Sequence, residues 1–324
     1  MKFSLLSVTY SGLFYDGKAL PLEQQIKKAK EFGFDGLSIE TKRPVASPLD
    51  LTAADRQRIR SVAADTGIEL VCVESLSDFS SNIMELRENN LAMMQNVLDL
   101  AVDLGVGMVK IFAAWPGIID QDMPAMYAPY DRGNYFKPMY AADLRIWQRC
   151  VEGIREVAKW ADDKGITLVL QNHGPVLSPG YEDVLAMRNE VGNKNLKLCL
   201  DVPMYFDRQK ADYVRESVEK CADLIRYTHY GAWNFSESED GEILLDPAPG
   251  HGGQINYETF FEALHQHGYE GYLTSEYCLP VLRDHKVCGI GEIDAATKRG
   301  LQYMKQLVKR VTTSKKTAQK PSLV

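Results

Sequence analysis

The stretch Lys164-Gly165-Ile166-Thr167-Leu168-Val169-Leu170-Gln171 decides the fold. Its glycine closes what precedes it, because a residue without Cβ adopts at little cost the left-handed conformation that ends a helix. A short aliphatic and β-branched run follows at once and stops at a polar side chain. The same order of helix, glycine, one to three residues and strand recurs in FGFDGLSI (32–39), TGIELVCV (66–73), LGVGMVKI (104–111) and HGYEGYLT (267–274). The unit is reiterated although its side chains differ.

Working outward from these units, eight strand-like runs can be marked: Phe3–Val8, Gly36–Glu40, Glu69–Glu74, Met108–Phe112, Thr167–Gln171, Leu196–Asp201, Ile225–His229 and Tyr272–Glu276. Amphipathic segments lie between them, at Leu22–Phe32, Ala53–Asp65, Arg87–Leu104, Leu144–Lys164, Glu182–Val191, Ala211–Asp223 and Tyr257–His267. Strand and helix in strict alternation predict a parallel sheet. A doubly wound sheet would place a glycine-rich phosphate turn after its first strand, and Ser11-Gly12-Leu13 is not one. The expectation is an α/β protein, a single (β/α)8 TIM barrel over residues 1–310. Two long connections, 113–143 and 231–256, each follow a strand and are read as lids rising from the C-terminal rim. Residues 311–324, polar and without periodicity, are read as a flexible tail.

Composition agrees with one sizeable core. The chain has 324 residues, 45% of them hydrophobic and 25% charged, ordinary globular values. A net charge of −7 and a pI near 5.5 argue against a polyanion-binding surface, so nucleic acid is not expected as a partner. The six cysteines are scattered without a C-x-x-C pair, which suggests buried thiols in a reducing cytoplasm rather than disulfides. No run approaches the roughly 18 consecutive apolar residues of a membrane helix. Met1–Val8 has no small-residue cleavage site after it and reads as a first barrel strand, not as a signal peptide.

The informative residues stand where the apolar runs stop: Gln171-Asn172-His173 after LVL, Asp201 after LCL, His229 after YT and Glu276 after LTS. In a barrel the C-terminal strand ends converge on the axis, so side chains from four adjacent strands can meet. A lone strand-end carboxylate often caps the next helix, and a lone histidine is often structural. Four such ends on consecutive strands point instead to a divalent metal site. The ligands expected are Gln171, Asp201, His229 and Glu276. Oxygen donors favour manganese first, with magnesium, cobalt or zinc as alternatives.

These residues resemble a family, the xylose-isomerase-like TIM barrels of the sugar phosphate isomerase/epimerase kind. The resemblance spans nearly the whole chain and rests on Phe34-Asp35-Gly36, on Gly165 to His173, on Leu198-Cys199-Leu200-Asp201, on His229 and on Gly268 to Glu276. It implies a metal set of Glu, Asp, His and Glu from strands five to eight, of which Asp201, His229 and Glu276 match three. Gln171 stands where a glutamate is expected. An amide can ligate through its oxygen but cannot accept a proton near neutral pH, so two-glutamate epimerisation is weakened. His173, two residues on, is expected on the same side as ligand or general base, and Glu276 suits either task.

One base and a metal suit proton abstraction beside a sugar carbonyl, followed by isomerisation, epimerisation or elimination. The last is similar to the catalytic subunits of C-glycoside deglycosidases, which implies a 3-oxo-glycoside substrate, loss of an aromatic aglycone and a smaller β-rich partner subunit. Trp115, Tyr127, Tyr130, Tyr135, Phe136 and Tyr140 offer aromatic faces to an aryl group or a sugar; equally they could form an oligomer contact. Lys110 and Glu74 are expected to orient substrate or to pair inside the barrel, and His251 to close over the site from a glycine-rich loop. Lys42-Arg43 reads as an anion contact or a solvated turn. An AP-endonuclease-like metal hydrolase fits poorly, since only six histidines are present and the chain is acidic. A non-catalytic sugar-binding barrel is the reading from another class that Gln171 keeps open.

Overall fold

The structure, a computed structural model, describes all residues except 116–117, 120–125, 128–143, 174–179, 203–209, 232–234, 246–254, 279 and 314–324. Eight strands and eight helices alternate. They are β1 (Lys2–Leu6), α1 (Leu22–Phe32), β2 (Gly36–Glu40), α2 (Ala53–Thr66), β3 (Glu69–Glu74), α3 (Met84–Leu104), β4 (Met108–Ile111) and α4 (Leu144–Asp163). The second half follows as β5 (Thr167–Gln171), α5 (Tyr181–Val191), β6 (Leu196–Cys199), α6 (Ala211–Cys221), β7 (Ile225–Gly231), α7 (Tyr257–Gln266), β8 (Tyr272–Glu276) and α8 (Ile290–Thr313). Every strand pairs in parallel with its sequence neighbours, and β8 pairs with β1 to close the ring. The expected (β/α)8 barrel is therefore what forms.

Alternation along the strands sorts the side chains between two cores, with a register shift where β2 meets β3. Leu5, Leu37, Ile39, Val109, Ile111, Leu168, Leu170 and Leu198 point outward and pack in one continuous cluster with helix residues such as Ile26, Leu98, Ile154, Val184, Val218, Phe260 and Met304. The inward residues are more polar. Val71, Cys72, Val169, Cys199, Tyr227 and Tyr272 fill the barrel, while Ser4 hydrogen-bonds Thr274 and the Ser38 hydroxyl hydrogen-bonds the Tyr227 oxygen within it. Gly36 makes this filling feasible. A Cβ there would collide with Val71 Cγ2 and sit 2.9 Å from the Glu69 carbonyl and 3.1 Å from the Tyr272 ring.

Several boundaries move for identifiable reasons. β1 ends at Leu6, not Val8, and Ser7–Tyr10 turns into a 3-10 helix; there Ser7 Oγ accepts the Glu40 N–H at 2.9 Å. β6 ends at Cys199, because the Asp201 N–H leaves the ladder and donates to Asn172 Oδ1 at 2.7 Å. α8 had no counterpart among the amphipathic segments read above. It buries Ile293, Leu301, Met304, Leu307 and Val311, and Asp294 fastens it to the first half of the chain by accepting from Tyr10 Oη and Lys28 Nζ, each at 2.7 Å. It runs to Thr313, three residues into the segment expected as tail.

Of the two long connections, 113–143 lies mostly outside the described residues; Ile118–Ile119 and Met126–Tyr127 form a small ribbon there. In the second, Phe235–Glu237 and Ile243–Leu245 make a hairpin whose Phe235 ring sits 5.5 Å from that of Tyr303 on α8. His251, expected to close over the site, lies outside the described residues, as do Tyr130, Tyr135, Phe136 and Tyr140. Among the described residues no helix is long and apolar enough to cross a membrane, and none of the six cysteines forms a disulfide.

Candidate functional site

The C-terminal ends of β5, β6 and β7 bring Gln171, Asp201 and His229 together. Each is buried, with exposures of 1%, 5% and 4%. Asp201 is the hub: its Oδ2 accepts from Gln171 Nε2 at 2.7 Å and faces His229 Nδ1 at 3.1 Å, and its Oδ1 accepts the His229 backbone N–H at 2.6 Å. Asn172 holds the hub from behind, donating its Nδ2 to the Asp201 carbonyl at 3.0 Å. Thus Asn172, next to the expected ligand, fixes the loop on which Asp201 stands.

The imidazole is oriented from its other side. His229 Nε2 lies 3.1 Å from Glu74 Oε1, which also accepts from the Tyr227 hydroxyl at 2.7 Å. Glu74 Oε2 is 3.2 Å from Lys110 Nζ, so the two residues expected either to touch substrate or to pair inside the barrel do pair. Lys110 Nζ in turn rests 3.6 Å above the Phe112 ring. Phe112 stacks on Trp115 with centroids 4.4 Å apart, and the His173 ring stands edge-on to both at 5.3 Å. His173 therefore packs into an aromatic platform above β4.

Glu276 stands one step higher. Thr274 is in register with His229 and Glu276 with Gly231, which places its carboxylate at the mouth above the Asp201 and His229 pair. Cys199 lies one step lower, its Sγ 3.6 Å from His229 Nδ1 and 3.8 Å from Asp201 Oδ1. Cys199, Asp201 and His229 are the His, Cys, Asp or Glu side chains that cluster within 4.8 Å among the described residues. Cys199 sits inside an apolar run and Glu40 just before the charged pair Lys42-Arg43, so neither stands out in the sequence. The signal for both was available: Cys199 is two residues from Asp201 and shares its face, and Glu40 is a strand end like Glu276.

Charge defines what the site can hold. Glu40, Glu74, Asp201 and Glu276 converge electrostatically on Lys110 and His229. Burial opposes the ionised form of Glu74, but His229 and Lys110 bring it down to about 2. Burial likewise opposes Asp201, yet His229 keeps it below its ordinary value. Burial would lower His229, and Cys199, Glu74 and Asp201 together lift it well above the usual imidazole range. Burial lifts Glu40 to about 7, with Lys110 pulling it down and Glu74 and Glu276 pushing it further up. Glu276 is raised by burial, with Asp201 and Glu74 adding to the effect against His229.

Acidic groups thus outnumber cationic ones at the mouth, and a divalent cation would offset the excess. The donor set fits such an ion. Gln171 Oε1 is buried without a hydrogen-bond partner, and a half-turn of its amide aims that acceptor where Nε2 now meets Asp201 and His229; the two orientations are nearly isosteric. An imidazolium Nδ1–H and the Gln171 amide N–H cannot both donate across their 3.1 Å contact. A metal in place of the Nδ1 proton removes that conflict. Glu74 then fixes the ring from Nε2, the usual arrangement of a carboxylate behind a ligating histidine.

The chain belongs to the xylose isomerase-like TIM barrel family, whose model matches residues 26–307. It is 25% identical over 275 residues to fructoselysine 3-epimerase of Escherichia coli O157:H7, covering 82% of this chain and 89% of that protein. It is also 25% identical over 283 residues to ketose 3-epimerase of Arthrobacter globiformis, covering 85% and 83%. Among solved structures, L-ribulose 3-epimerase superposes with a TM-score of 0.68 over 99% of both chains at 20% identity, a likeness of fold.

Proposed function

We propose that this protein is a divalent-metal-dependent sugar enzyme that abstracts a proton from the carbon beside a carbonyl and epimerises a ketose or keto-sugar. The observation that carries the reading is the convergence of Gln171, Asp201 and His229 at three adjacent strand ends, with Glu276 one step above, in a chain related to ketose epimerases. Gln171 Oε1, Asp201 Oδ2, His229 Nδ1 and Glu276 would hold the ion, manganese first. Bound there, it would polarise the sugar carbonyl and stabilise negative charge developing on oxygen. Glu276, whose carboxyl burial raises above its ordinary value, accepts the proton. Phe112 and Trp115 offer a flat apolar face to the sugar ring, and His173 holds that platform in place. Lys110, a cation buried in the wall, favours an anionic intermediate.

A second reading follows from Gln171. With an amide rather than a carboxylate at position 171, a single base and a departing group also suit elimination of an aglycone from a 3-oxo-C-glycoside, in company with a small β-rich subunit. The two readings differ in product. The purified protein is assayed for bound metal by elemental analysis, and for turnover of ketohexoses and of a 3-oxo-C-glycoside. We expect stoichiometric divalent metal, epimer formation, and a loss of about 100-fold or more in Glu276→Gln. Release of aglycone without epimerisation would favour elimination. Metal-free protein with Glu276→Gln turnover unchanged would sink both.

A further inference from the structure

One buried carboxylate has no task in this scheme. Glu40 ends β2, which stands across the ring from β6 and Asp201 and two strands round from β8. It shares the inward face of β2 with Ser38, the hydroxyl that Tyr227 reaches inside the barrel, whereas Leu37 and Ile39 point to the outer core. Glu40 is 7% exposed, and its Oε1 is buried without a hydrogen-bond partner. A buried carboxylate left unsatisfied is costly, unlike its register neighbour Glu74, which is committed to Tyr227, His229 and Lys110.

We propose that Glu40 is a catalytic residue of this site: it carries the proton on the substrate face turned away from Glu276, the task that Gln171 cannot perform. The proposal rests on the epimerase reading above. Ionised Glu276 takes the proton from the carbon beside the carbonyl; the C–H bond breaks and its electron pair moves into an enediolate. Glu40, as the neutral acid, gives its proton to that carbon from the other direction. A new C–H bond forms with the returning pair, the carbonyl is restored, and Glu40 is left ionised. One proton has passed from Glu40 to Glu276 by way of carbon, and exchange with solvent resets both. Burial suits Glu40 to hold that proton near neutral pH, and as the last residue of β2, in register with Glu74, it stands at the same end of the barrel. β1 separates β2 from β8, so the two carboxylates rise from separate strands of the rim.

The test is turnover of the metal-loaded full-length protein in D2O with D-fructose, D-allulose and D-tagatose, reading epimer formation and deuterium in recovered substrate separately. Wild type is expected to give deuterated epimer. Glu40→Gln is expected to lose epimer formation by about 100-fold or more while still exchanging the substrate C–H, because Glu276 removes and returns the proton on one face. Glu276→Gln should lose both. Glu40→Asp, which keeps the acid on a shorter arm, should recover part of the epimer and provides the reading if the glutamine variant does not fold. Glu40 is overturned if Glu40→Gln epimerises at the wild-type rate, if it loses exchange and epimerisation together while folded and metal-bound, or if His173→Gln shows the split instead. If wild type itself neither exchanges nor epimerises any of these sugars, the epimerase reading fails and this proposal with it; an active wild type indifferent to Glu40 removes Glu40 alone.

Discussion

A carboxyl held at about 7 instead of 4.5 in the folded chain has a consequence for stability as well as for chemistry. The folded state binds the Glu40 proton more tightly than the unfolded state, so this group favours the fold below about pH 4.5 and ceases to do so as pH rises through 7. Glu40→Gln, neutral at every pH, should therefore stabilise the metal-free protein at pH 8 by up to about 3 kcal/mol relative to wild type. The advantage should shrink towards zero by pH 4. Urea unfolding at the two pH values measures it, and a pH-independent difference would refute the assignment. At this scale much of the site was legible: Gln171, Asp201 and His229 are strand ends and meet as such. What escaped was set by the third dimension. His173 has the right period but is drawn aside by Phe112 and Trp115, and nothing in the linear order says that Glu74 reaches His229, 155 positions away.

Elements were legible where a glycine cap and an apolar face coincide, as at Gly33 and Gly67, both left-handed C-caps. α8 lacks that clarity because Gly291 and Gly300 interrupt it, and Gly300 is there for contact: a Cβ would come within 3.2 Å of the Phe235 ring. The same kind of constraint acts on β2. Gly36→Ala would force Val71 and Tyr272 out of the barrel floor and crowd the Glu69 carbonyl, and overpacking of this kind costs about 1–3 kcal/mol. The floor is far from the strand ends, so thermal stability should fall while metal affinity stays within error. A variant as stable as wild type would show that the floor is loosely packed.

For the molecule as a whole, the excess of buried acid at the mouth makes folding and ion binding one equilibrium. A chelator should lower the melting temperature and added Mn²⁺ restore it. At 100 times its dissociation constant the ion contributes about 2.7 kcal/mol, and Asp201→Asn should abolish the response in differential scanning calorimetry. An identical melting temperature with and without metal would contradict the charge argument. The global architecture was the most legible part of all, since eight repeats of one unit leave few ways to bury eight strands. The final pairing has a consequence during synthesis. Until Tyr272–Glu276 has been made, the growing sheet carries two unpaired edges, each a template for another chain. The strand that brings Glu276 is the one that joins β1 and abolishes both. Completion of the acid–base machinery and escape from edge-to-edge aggregation are thus the same event, and stalled or truncated chains should be insoluble as well as inactive.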